Sequence, residues 1–113
     1  GCVISLIPAP HNLHNYEELG VNYRHRPFTG AEDLPQWLTA FYRELDALLL
    51  EGNKVILHAE EVGDRIVGIM GGYIRWCGLV KEGTQAIAIT ERIAQRQLDP
   101  FARQVILMAH ELR

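Results

Sequence analysis

Val55, Ile56 and Leu57 form a short apolar run that breaks at a turn, and a helical stripe begins almost at once beyond it. This juxtaposition constrains the fold more than anything else in the chain. The run has the character of a buried parallel strand, which carries apolar residues on both faces. After the turn, Ile66, Ile69, Met70, Tyr73, Ile74 and Cys77 recur at spacings of three and four, the mark of a helix that starts near Arg65. A strand feeding a tight loop and then a helix aims successive backbone N–H groups and the positive end of the helix dipole at one point. Such a point is an anion cradle, to which Arg65 would add a bidentate guanidinium fork for phosphate oxygens.

The turn reads His58, Ala59, Glu60, Glu61, Val62, Gly63, Asp64, Arg65, and it resembles the H-C-x5-R loop of the dual-specificity and protein tyrosine phosphatases. The likeness covers nearly the whole chain. Val3, Ile4, Ser5 and Leu6 resemble the family's first core strand, and residues 21–27 the strand leading into its general-acid loop. An amphipathic run over 34–50, the strand ending at His58, the helix after Arg65, a helical run over 86–94 and a last helix containing Gln104 complete the order. The resemblance implies an α/β sandwich, with a central, mainly parallel sheet flanked by helices.

The departures from the family pattern bear on function. In the family a cysteine thiolate attacks phosphorus, the loop arginine holds the transferred group, an aspartate protonates the leaving oxygen, and a hydroxyl residue after the arginine helps the thiolate leave. The matching positions here carry Ala59, Arg65, Gly30 and Ile66, with Glu32 and Asp33 close to the acid position. Alanine cannot form a covalent intermediate. Val62 stands where the family commonly has glycine, and a β-branched residue at positive φ costs about 1–2 kcal/mol. Glu60, Glu61 and Asp64 surround Arg65 with carboxylates, so Arg65 is expected to brace the loop through them. Three readings compete. The chain is a catalytically inactive phosphatase-like binding or regulatory domain, an active phosphatase captured with alanine in place of its cysteine, or a structural domain packing within a longer chain.

Composition bounds the rest. At 113 residues and 48% hydrophobic content the chain is expected to be one domain over 1–113, short for the family and lacking its N-terminal strands. A net charge of -3 supplies no basic field for nucleic acid. No apolar run approaches the ~20 residues of a membrane span, and no signal pattern opens the chain, so a cytoplasmic setting is expected. The expected partner is a protein or a phosphorylated ligand. No cofactor or metal is expected. His11 and His14 are three apart but lack an evident third ligand, and read as solvated loop residues. Cys2 and Cys77 read as reduced core residues.

Local signals set the element ends. Asp33 before Leu34 and Pro35 reads as an N-cap, and Trp37, Leu38, Phe41, Leu45, Leu48 and Leu49 fall on one face. Gly52 and Asn53 close that helix ahead of the central strand, and Gly78 closes the helix after the loop. Gly83 opens the next helix, and Asp99 with Pro100 opens the last, whose inner face reads Phe101, Val105, Met108, Ala109 and Leu112. Gly68, Gly71 and Gly72 point to close backbone packing rather than nucleotide binding. His58 is expected to brace the loop through backbone hydrogen bonds. Arg75 and Trp76 are partner contacts if exposed, and core if not.

Overall fold

A computed structural model describes residues 2–6, 20, 22–29, 32–59 and 63–112. The chain forms two compact units, residues 1–60 and 61–113. Together they make an α/β protein with a three-stranded parallel sheet and four α-helices among the described residues.

The first unit holds β1 (Cys2–Ser5), β2 (Asn22–His25), α1 (Leu34–Leu50) and β3 (Val55–His58). The strands are parallel in the order β2-β1-β3. Every residue of β1 is buried, as expected of a parallel strand with a neighbour on each side. The expectation that the strand ending at His58 is the central, buried one is corrected. Among the described residues β3 pairs only with β1, and Ile56 is 63% exposed. Both strands are short apolar runs, and a run alone does not reveal which one gains two neighbours.

The predicted caps of α1 are present. Asp33 accepts a hydrogen bond from the Gln36 amide at 3.2 Å, and Pro35 lies in the first turn. At the other end Gly52 takes φ +85°, and the amides of Gly52 and Asn53 reach the carbonyls of Leu49 and Leu48 at 3.0 and 3.1 Å. This reciprocal pair satisfies two carbonyls that the helix itself leaves open. The buried face runs through Leu38, Phe41, Tyr42, Leu45 and Leu48. Leu49 is exposed instead, and Tyr42 takes the inner place. Burial pushes the Tyr42 phenol up, so it stays neutral. Trp37 bridges this face to the segment after β2: its ring stacks on Phe41 at 5.0 Å, tilts against Phe28 at 4.8 Å, and its Nε1 donates to the Pro27 carbonyl at 3.1 Å.

Glu44 ties α1 to β2. One carboxylate accepts from Arg24 at 3.0 Å and from Arg26 at 2.9 and 2.6 Å. Partial burial pushes the Glu44 carboxyl up, but the hydrogen bonds from Arg26 and Arg24 outweigh it and hold the group below its ordinary value. A carboxylate depressed in the folded state contributes stability above its unfolded pKa, and that stability is lost as pH falls through the folded value. Urea unfolding across an acid pH series should therefore show a steeper loss of stability for the wild type than for Glu44→Gln. Parallel curves would show that the clamp contributes nothing.

The second unit is helical: α2 (Asp64–Trp76), α3 (Gly83–Ala94) and α4 (Pro100–Met108), which tightens into a 3-10 turn over Ala109–Leu112. Asp99 caps α4 through the Ala102 amide at 2.8 Å, and Gly78 leaves α2 with φ +88°. The glycines of α2 lie where neighbours come close. A Cβ at Gly68 would sit 2.6 Å from the Ala102 Cα, and one at Gly71 would sit 2.6 Å from the Thr90 hydroxyl and 2.8 Å from the Ile106 side chain. This approach turns α4 so that Ala102, Val105, Ile106 and Ala109 are the buried residues, while Phe101, Met108 and Leu112 are half-buried. The expected inner face is thus corrected by a rotation towards the small residue Ala102. On α2, Ile69 and Trp76 are buried, and Ile66, Met70, Tyr73, Ile74 and Cys77 are half-buried. Trp76 is core rather than a partner contact. Arg75 is engaged too, donating to the carbonyls of Ile106 and Leu107 near the end of α4, the first at 3.0 Å. A cation at a helix C-terminus is favourably placed.

Candidate functional site

The structure places the segment 58–65 between the last strand and the first helix of the second unit. His58 is the final residue of β3, Ala59 follows it half-buried, and Gly63 is the N-cap of α2 in an extended conformation. Asp64 and Arg65 are the first two residues of that helix, and Arg65 is exposed. Gly30, Glu60, Glu61, Val62, His11 and His14 lie outside the described residues. The strand before the loop and the helix after it are therefore present as expected, with α2 beginning one residue before Arg65.

Asp64 has a partner besides those expected: its Oδ1 accepts from Arg96 Nη1 at 3.1 Å. The partner was not legible in advance, because Arg96 lies beyond the whole of α3 and no periodicity connects the two positions.

The two acids nearest Gly30 are also committed. Glu32 accepts from the Thr29 amide at 2.9 Å and from the Thr29 hydroxyl at 3.0 Å. Asp33 is the cap of α1. Both carboxylates hold backbone geometry at the entrance to α1, a use that accounts for their presence without proton transfer.

No known family model matches this chain, and no curated protein matches it.

The thiols add no nucleophile to the segment. Cys2 is buried in β1, and Cys77 is half-buried just past α2; both are free. Ile66 follows Arg65 with an aliphatic side chain in place of a hydroxyl. Among the described residues no cluster of three or more His, Cys, Asp or Glu could hold a metal, and no helix is long and apolar enough to cross a membrane.

One feature of the strand ends was missed in the sequence. Ser5, the last residue of β1, pairs in register with His25 of β2 and His58 of β3. Ser5 is completely buried, and its hydroxyl has no hydrogen-bond partner among the described residues. The signal available was only that a serine interrupts the apolar run Val3, Ile4, Leu6. An orphaned buried hydroxyl costs about 1–3 kcal/mol.

Proposed function

We propose that the chain is a phosphatase-like domain without catalytic activity, used as a binding or regulatory module for a protein or a phosphorylated ligand. The observation that carries this reading is Ala59, which follows the last residue of the strand at the position where the resembled loop has its nucleophile. An alanine methyl group neither attacks phosphorus nor stores a phosphoryl group. The engagement of Glu32 with Thr29 and of Asp33 with the α1 amide supports the same reading, since the acids nearest the expected general-acid position serve the backbone. Arg65 stands in the first turn of a thirteen-residue helix, at the position where the resembled loop has its phosphate-holding arginine.

Two measurements test this together. The purified chain should turn over an aryl phosphate no faster than a heat-denatured control. Inorganic phosphate should raise its melting temperature, and Arg65→Ala should remove most of that rise. Turnover that depends on Arg65 would overturn the inactive reading. Equal melting temperatures with and without phosphate would remove the phosphorylated-ligand half of it.

A further inference from the structure

We propose that two copies of this chain pair through the outer edge of β3, antiparallel about a two-fold axis at Ile56, whatever the loop at 58–65 binds. In a β-ladder the N–H and C=O groups of one residue point to the same side, and the side alternates along the strand. The Cys2 amide donates to the Lys54 carbonyl at 2.8 Å, with Cys2 opposite Val55 and Val3 opposite Ile56. Lys54 and Ile56 therefore turn their backbone groups towards β1. Those of Val55 and Leu57 point outward, where no strand meets them among the described residues.

The two edges of the sheet differ in how they are guarded. Native edges are commonly blunted by charge or proline. β2 carries Arg24, and Arg26 and Pro27 follow it, with both arginines tied to Glu44. β3 presents Val55, Ile56 and Leu57 with neither charge nor proline among them, and Ile56 is exposed. Such an edge selects another apolar strand, and β3 is complementary to its own copy. About an axis at Ile56, Val55 of each copy falls opposite Leu57 of the other. Both residues have outward groups, so they exchange both bonds of a hydrogen-bonded pair. Ile56 then meets its own counterpart on one face, at the closer spacing of a non-hydrogen-bonded pair, about 4.5 Å between Cα atoms. Neighbouring registers are worse. Moving the axis to Val55 would call on the Asn53 amide, which is committed to the Leu48 carbonyl at 3.1 Å, and moving it to Leu57 would call on Ala59, beyond the end of the strand. A two-fold pair also closes, whereas head-to-tail addition leaves an open edge each time.

Sedimentation velocity of the full chain over a concentration series should show the apparent mass rising from that of one chain to that of two. Ile56→Lys sets like charges directly opposite each other, and Val55→Pro removes an outward donor from each copy while sparing the bonds to β1. Each should weaken dimerisation about tenfold or more, with the melting temperature of dilute protein near that of the wild type. Ile56→Glu should likewise be monomeric alone, yet a mixture of Ile56→Lys and Ile56→Glu should recover the dimer. Hydrogen exchange on the wild type reads the same edge without a variant: the Val55 and Leu57 amides should be slowed at high concentration only, and the Ile56 amide at low and high concentration alike. A wild type that stays monomeric throughout would overturn the proposal and leave the edge to a strand of another protein. A dimer that survives both Ile56→Lys and Val55→Pro, or Val55 and Leu57 amides that exchange alike at every concentration, would overturn it by showing that the copies meet elsewhere.

Discussion

Alanine at position 68 is expected to destabilise the helical unit by about 1–3 kcal/mol, the usual cost of forcing an extra methyl into a packed site. Two effects oppose each other. In a helix interior, alanine is better than glycine by about 1 kcal/mol. The new Cβ, however, would lie 2.6 Å from the Cα and 2.8 Å from the Cβ of Ala102, and neither atom can swing aside without moving the backbone of α4. Packing therefore outweighs propensity. Gly71→Ala should cost less, since its nearest neighbours are the Thr90 and Ile106 side chains, which have rotamers to use. The check is urea unfolding of Gly68→Ala, Ala102→Gly and the double variant. If the approach is as close as described, Ala102→Gly should recover part of the loss in the Gly68→Ala background while destabilising the wild type. Additive effects would show that the two residues are not in contact.

Restoring a cysteine at position 59 is expected to leave turnover of an aryl phosphate at least about a hundredfold below that of a complete phosphatase loop. General acid catalysis alone is commonly worth 10²–10⁴-fold. Gly30 carries no proton to give, Glu32 and Asp33 are held by Thr29 and the α1 amide, and Ile66 has no hydroxyl to offer the leaving sulfur. Glu60 and Glu61 beside the new thiol would also raise its pKa and lower the thiolate fraction. Steady-state kinetics of Ala59→Cys decide the matter. Rates typical of a working phosphatase from this single change would favour the reading in which the chain is an active enzyme captured with alanine at its nucleophile.

What could be read in advance was whatever depends on neighbouring residues. The caps at Asp33 and Asp99 and the terminators Gly52 and Gly78 are local chemistry, and each appears where its pattern predicts. The close packing read from the glycines of α2 is present at Gly68 and Gly71 for the same reason, since a missing side chain in a helix interior asks for a neighbour. Properties that depend on distant partners were not legible. Scoring by apolar size favoured Phe101 and Met108 over Ala102, because periodicity weighs bulk and is blind to a facing glycine. Val55 to Leu57 looked as central as Val3 and Ile4 until pairing was known. At the candidate site Ala59 stood out only through the likeness of its loop to the phosphatase pattern, whereas Arg96 on Asp64 and the orphaned hydroxyl of Ser5 depend on contacts between remote parts of the chain.

The sheet order has a kinetic corollary. Its middle strand precedes both of its neighbours in sequence, and the second of them lies about fifty residues downstream, with Cys2 opposite Val55. Loop closure of that length must come before any reward from the β1–β3 pairing, whereas the three helices of residues 61–113 are neighbours in sequence as well as in space. During refolding, pulse-labelled amides in α2 and α4 should gain protection ahead of those in β1. Until β3 arrives, the apolar segment Cys2–Ser5 lacks one of its two neighbours, and this is the interval in which the molecule is most exposed to aggregation.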